Sequence, residues 1–248
     1  MASHLPEIMV SPASSGMRER LIVALDVSTA AEAQTLAQRV GDAAGIYKVG
    51  LQLFTAEGPS LVRDLVHSGR RIFLDLKLHD IPNTVAHAVK SAAELGVHML
   101  TVHASGGAAM LHAATEAAAG RINILGITVL TSLNDEAMQE IGIAGRVSDQ
   151  VLRMASLAQS AGCRGIVTSP HEALMVRKAL GEGFAIVTPG IRPAGADTND
   201  QQRIATPAQA INNGASHIVV GRPITHAADP AKAAQDIIAE MEQARNIR

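Results

Sequence analysis

Residues 72–80 read Ile72-Phe73-Leu74-Asp75-Leu76-Lys77-Leu78-His79-Asp80, with a carboxylate and an ammonium two positions apart in an apolar run. Side chains alternate along a strand, so Phe73, Asp75 and Lys77 share one face while Leu74, Leu76 and Leu78 share the other. The leucines suit a covering layer of helices, which leaves Asp75 and Lys77 facing inward. Buried charges are costly unless paired, so the bland reading is a structural salt bridge. Two further charges sharpen the alternative. Asp26 ends the earlier run Leu21–Asp26, and Lys48 lies in Ile46–Gly50 between Tyr47 and Val49. On three adjacent strands, these two carboxylates and two ammoniums meet at one mouth in an alternating array. Opposite charges close by favour the charged forms, so mutual pairing keeps all four ionised. Such fixed charges suit a reaction that creates a carbanion and then protonates it, with a lysine as both stabiliser and general acid.

A second polar cluster closes the chain's last apolar run, Val219-Val220-Gly221-Arg222-Pro223-Ile224-Thr225. Gly221 lets the backbone approach an anion, and Arg222 supplies a guanidinium fork. The run before it leads into Thr188-Pro189-Gly190-Ile191-Arg192-Pro193 and a polar stretch through Gln201 and Gln202. That turn-rich loop resembles a lid over a ligand, although a plain surface loop has the same composition.

The elements that position these residues follow from periodicity. Short aliphatic runs recur at Leu21–Asp26, Ile46–Gly50, Ile72–Lys77, Met99–His103, Ile122–Thr128, Gly165–Thr168, Ala185–Thr188 and His217–Gly221. Continuous apolar runs suit parallel strands covered by helices. Segments with helical spacing lie between them, as in Ala234, Ile237, Ile238 and Met241 at i, i+3, i+4 and i+7. Asp80 before Pro82, and Ser169 before Pro170, mark expected helix starts. Eight βα units in 248 residues imply one TIM (β/α)₈ barrel, for which roughly 250 residues are typical. Its active site lies at the C-terminal ends of the strands, often with phosphate bound after strands seven and eight. An open dinucleotide-binding sheet is disfavoured, because Asp26-Val27-Ser28 follows the first strand with no glycine fingerprint. The barrel is expected over 18–248, preceded by a flexible Ser- and Pro-containing extension over 1–17.

Composition narrows the partners. A formal charge of −2 provides no basic field for nucleic acid, and three Phe, one Tyr and no Trp make a poor base-stacking platform. The single Cys163 allows no intrachain disulfide, and a small buried thiol is its expected role. No apolar run approaches the roughly 18 residues of a membrane span, and the first residues lack a signal-peptide pattern. A cytoplasmic protein is expected.

The run Asp75-Leu76-Lys77-Leu78-His79-Asp80-Ile81-Pro82-Asn83-Thr84 resembles the D-x-K-x-x-D signature of the orotidine 5′-phosphate decarboxylases, in its bacterial form. The likeness extends from about Leu21 to Met241 and includes Leu21–Asp26, Tyr47–Phe54, Val129–Ser132, Val187–Pro193 and Val219–Thr225. It implies decarboxylation of orotidine 5′-phosphate (OMP) to UMP in pyrimidine biosynthesis, on a TIM barrel without metal or organic cofactor. By this resemblance Lys77 protonates C6, Asp75 faces the substrate carboxylate, Lys48 holds Asp75 and the ribose, and Asp26 binds ribose hydroxyls. Thr131 lies near the pyrimidine edge, while Arg192, Gln201, Gly221 and Arg222 gather at the phosphate. Asp80 and Thr84 enter the neighbouring subunit's site, so a homodimer is implied.

Two rivals share the fold. A phosphosugar decarboxylase or aldolase using D-x-K-x-x-D with magnesium needs further carboxylates around the metal. A non-catalytic phosphate-ligand module is the other, since fold alone does not fix function; it leaves the Asp75–Lys77 pair unexplained. The ten histidines form no metal-ligand spacing. His103 ends strand four, where a hydrogen-bonded structural role is expected, and strand parity points His79 away from Lys77.

Overall fold

Each apolar run becomes a strand, and the strands close on themselves. The computed structural model describes residues 16–193 and 205–245. They form a closed parallel barrel in the order β1 (Leu21–Ala24), β2 (Ile46–Gly50), β3 (Ile72–Leu78), β4 (Met99–His103), β5 (Asn123–Ile127), β6 (Gly165–Val167), β7 (Ala185–Thr188) and β8 (His217–Val220). Closure comes from β1 pairing with β8, with Leu21 opposite Ile218 and Val23 opposite Val220. The expected TIM barrel is therefore observed. Strand ends differ from the sequence reading by a residue or two, as fraying edges do.

Alternation along each strand divides the core in two. Ile22, Ala24, Ile46, Phe73, Met99, Leu125, Val187 and Val219 fill the barrel interior. Leu21, Val23, Tyr47, Val49, Leu74, Leu100 and Val102 face the helix layer. Deleting a fully buried ring such as Phe73 costs about 3–5 kcal/mol, because the packed interior relaxes only partly around the void. Two glycines permit close approach. A Cβ at Gly165 would lie 2.4 Å from the Ala185 carbonyl oxygen on β7, and one at Gly126 would lie 2.9 Å from Ala158 Cβ on the covering helix Val147–Ser160.

Helix starts follow local hydrogen bonding. Thr29 caps the Ala30–Val40 helix in a reciprocal box with Glu32, which turns the chain sharply after β1. Pro82 is the first residue of the Pro82–Glu94 helix, but the cap position is Ile81; Asp80 instead accepts the Ile81 N–H at 2.6 Å. The start expected at Pro170 lies further on. Ser169 Oγ accepts from the His171 N–H in a local turn, and the helix runs Ala173–Leu180. The final helix, Pro230–Arg245, buries Ala234, Ile237 and Met241 as its spacing requires.

Met17, counted with the N-terminal extension in the sequence, begins a short helix and is buried at 3% exposure. The extension's residues 1–15 lie outside the described residues. Cys163 is buried, and burial pushes its thiol up to about 12. No described helix is long and apolar enough to cross a membrane.

The N-terminal end of the barrel holds a polar plug that sequence inspection missed. Arg20 donates to the carbonyls of Ser216 at 2.8 Å and Ala215 at 2.6 Å. Arg177 donates to Gly214, Gly181 and Phe184 carbonyls and to Ser216 Oγ. Arg71 pairs with Glu19 and donates to His98 Nε2 at 2.7 Å. Burial first, then the Arg71 charge, lowers His98 to about 4. His217 falls to about 3, through burial and then Arg20, His98 and Arg71. Polar groups at this end of such a barrel serve stability, leaving the opposite mouth for chemistry.

Candidate active site

At the C-terminal mouth the four anticipated charges meet. Lys48 Nζ lies 2.9 Å from Asp26 Oδ1 and 4.0 Å from Asp75 Oδ2, and Lys77 Nζ lies 2.7 Å from Asp75 Oδ2. The order is Asp26–Lys48–Asp75–Lys77, negative and positive in turn. Burial is graded along it. The Asp75 and Lys48 side chains are 12% and 11% exposed, whereas Lys77 is 31% exposed and Asp26 60%. The inner pair is thus shielded from water, where charge interactions strengthen, and Lys77 keeps a free approach to the cavity.

Lys77 owes its position to a break in strand pairing. Leu74 is opposite Leu100, but Leu78 is opposite Val102, so β3 carries extra residues between the two contacts. The bulge places Lys77 at φ 51°, in the left-handed region that lysine rarely adopts. Such a conformation costs about 1–3 kcal/mol and persists only where its surroundings enforce it. Bulges beside active sites re-aim side chains in this way.

The mouth opens into a cavity of about 540 Å³, large enough for a mononucleotide-sized ligand. Asp26, Lys48, Asp75, Lys77, Thr131, Arg192, Gly221 and Arg222 all line it. Its apolar floor is Ala24, Phe73, Val167 and Val219, the upper ends of the barrel interior. The alternating carboxylate–ammonium array lies on the β1–β3 side, and Arg192, Gly221 and Arg222 on the β7–β8 side. A Cβ at Gly221 would stand 3.7 Å from Ala24 Cβ and from Asp26 Oδ2, an ordinary contact, so the protein's own packing does not demand glycine there. Arg192 is buried at 7% exposure and donates to the Ile191 carbonyl. Its loop is stitched at both feet, because Ile191 bridges Ala205 and the Arg192 N–H donates to the Ala205 carbonyl at 3.0 Å. The lid expected between them, including Gln201, lies outside the described residues.

Asp80 and Thr84 are exposed and do not line this cavity. Gln52, Thr225 and His226 line it without having been singled out. They follow strands two and eight by a few residues, so their positions alone were the available signal. The His79 and His103 rings lie tilted against each other with centroids 5.3 Å apart, and neither lines the cavity. His103 is lowered below its ordinary value by burial, then by His79 and Lys77, against Asp75. Among the described residues no group of three or more His, Cys, Asp or Glu could hold a metal ion.

Residues 19–237 match the model of the orotidine 5′-phosphate decarboxylase / HUMPS family. The chain belongs to that family. A Moorella thermoacetica protein named orotidine 5′-phosphate decarboxylase is 51% identical, over 92% of this chain and 94% of the relative. A protein of the same name from Halorhodospira halophila is 54% identical, over 91% and 97%. The crystal structure of orotidine 5′-phosphate decarboxylase from Lactobacillus acidophilus superposes with a TM-score of 0.81 at 37% identity, covering 89% of this chain and 98% of that one. The Pyrococcus horikoshii enzyme gives 0.74 at 27% identity, covering 90% and 99%. The name these relatives carry is that of a carboxy-lyase.

Proposed function

We propose that the chain decarboxylates OMP to UMP and carbon dioxide in pyrimidine biosynthesis, with Lys77 as the proton donor and without a cofactor. The observation that carries this reading is the Asp26–Lys48–Asp75–Lys77 array at the mouth of a nucleotide-sized cavity, in a family named for this reaction. The C6–carboxylate bond breaks and its electron pair stays on C6. The Lys77 ammonium opposes that developing negative charge and then transfers a proton to C6; solvent restores the proton afterwards. Asp75 faces the departing carboxylate and fixes the ammonium through the 2.7 Å contact. Lys48, 4.0 Å from the same Asp75 oxygen, adds a second positive charge there and, with Asp26, holds the ribose hydroxyls. Because these charges are in place before substrate arrives, little reorganisation is needed as the carbanion forms.

Thr131 contacts the pyrimidine edge, and Arg192, Gln201, Gly221 and Arg222 hold the phosphate across the cavity. Binding energy from that remote group aligns the ring over Lys77. Asp80 and Thr84 serve the partner's site in a homodimer, a placement supported by their exposure and their absence from the lining of their own cavity. The test is loss of OMP absorbance by the purified protein with EDTA present. Full turnover under chelation is expected. Absence of turnover, or turnover that chelation abolishes and magnesium restores, would overturn the proposal.

A further inference from the structure

The bulge that aims Lys77 is held by one hydroxyl. Along β4 the inward sequence is Met99, Thr101, His103, and Thr101 stands opposite the β3 bulge, between the Leu100 and Val102 contacts. Its side chain is fully buried, at 0% exposure, and does not line the cavity. Thr101 Oγ1 accepts the Lys77 backbone N–H at 2.9 Å and donates its proton to Asp75 Oδ1 at 2.9 Å. Asp75 Oδ2 then meets Lys77 Nζ. A closed ring results, running from the Lys77 amide through Thr101 and the Asp75 carboxylate to the Lys77 ammonium. The hydroxyl has one proton, and an ionised carboxylate can only accept, so both roles are fixed.

We propose that Thr101 is a positioning residue for the reaction: its hydroxyl pins the left-handed Lys77 backbone and one oxygen of Asp75, thereby setting where the Lys77 ammonium points. This rests on the catalytic roles proposed above for Asp75 and Lys77. An apolar side chain here would leave a buried amide and a buried carboxylate oxygen without a partner, and relaxation of either moves the proton donor. Displacing a reacting group by about 1 Å costs on the order of 10²-fold in rate, with little effect on binding made elsewhere in the cavity.

Thr101→Ser and Thr101→Ala test this, because both lose the γ-methyl and only Ser keeps the hydroxyl. The alanine variant is expected to lose about 10²-fold in kcat while KM for OMP stays within about threefold. The serine variant should stay within about fivefold of wild type in kcat, as expected where the hydroxyl rather than its packing matters. Hydrogen exchange of the Lys77 amide, followed by NMR, gives a readout independent of turnover: protection should fall in Thr101→Ala and persist in Thr101→Ser. If Ala does not fold, Thr101→Val preserves the volume and replaces it in both measurements. Equal kcat for the hydroxyl-bearing and hydroxyl-free variants, or unchanged Lys77 amide protection in both, overturns the role of Thr101. A wild-type protein that leaves OMP untouched overturns the catalytic reading instead, and the exchange comparison still decides whether the hydroxyl pins the bulge.

Discussion

Acid should weaken this protein through the polar plug at the closed end of the barrel. His98 and His217 lie among Arg20 and Arg71, with native values lowered from 6.5 to about 4 and about 3. In the unfolded chain both revert to about 6.5. Above that pH each is neutral in both states and contributes nothing to pH dependence. As pH falls below 6.5 the unfolded chain takes up protons that the native state refuses, so stability falls until the native values are reached. At pH 5 each unfolded imidazole is almost fully protonated, which costs about 2 kcal/mol per histidine relative to pH 7.5. The pair therefore costs about 4 kcal/mol, a large share of the roughly 5–15 kcal/mol that holds a domain together. The figure needs both native values to lie about a unit or more below 5, as they do. The geometry agrees, since His98 Nε2 accepts from Arg71 and a protonated ring would turn a donor toward a guanidinium. Urea unfolding at pH 7.5 and pH 5 measures the effect. The double variant His98→Gln/His217→Gln should lose most of the difference, whatever its stability at pH 7.5. An unchanged acid sensitivity in that variant, or native imidazoles titrating near 6.5 by NMR, would refute the reasoning.

Arg222→Ala should weaken OMP binding by about 2–5 kcal/mol if its charge meets the phosphate, and should affect the nucleoside orotidine far less. Equal losses for both ligands would remove Arg222 from the phosphate site. Mixing Lys77→Ala with Asp80→Ala should regenerate one intact site per mixed dimer, approaching about a quarter of wild-type activity with random exchange. A mixture that stays inactive after confirmed exchange would place Asp80 in its own chain's site.

The sequence was most legible where local periodicity and burial agree. Continuous apolar runs mark all the strands, and parity within β3 separates Phe73 and Asp75 from the outward leucines, while Lys77 reaches the cavity through the bulge. Convergence of Asp26 and Lys48 with that pair follows once the strands are neighbours in a barrel. Features that depend on a distant partner were hidden. Nothing local distinguishes a regular β3 from the bulged one, because the bulge is defined against β4 and held by Thr101. Ser169-Pro170 has the composition of a helix cap, but the serine hydroxyl is used in a tighter turn before Ala173. The basal plug joins Arg20 to Ser216 and Arg71 to His98, contacts made only when the barrel closes. Asp80 and Thr84 are exposed and absent from the lining of their own cavity, and Asp80 accepts only the local Ile81 N–H among its described contacts.

Lys77 bears the central chemical claim, because its ammonium is assigned both the stabilisation of the C6 carbanion and its protonation. Single-turnover and steady-state decarboxylation of OMP by Lys77→Ala, beside wild type, measures both at once. Loss of the two functions together should lower kcat by at least about 10⁴-fold in a variant that still folds and binds UMP. A variant that retains a tenth of wild-type turnover would contradict the account and move the proton donor elsewhere in the cavity.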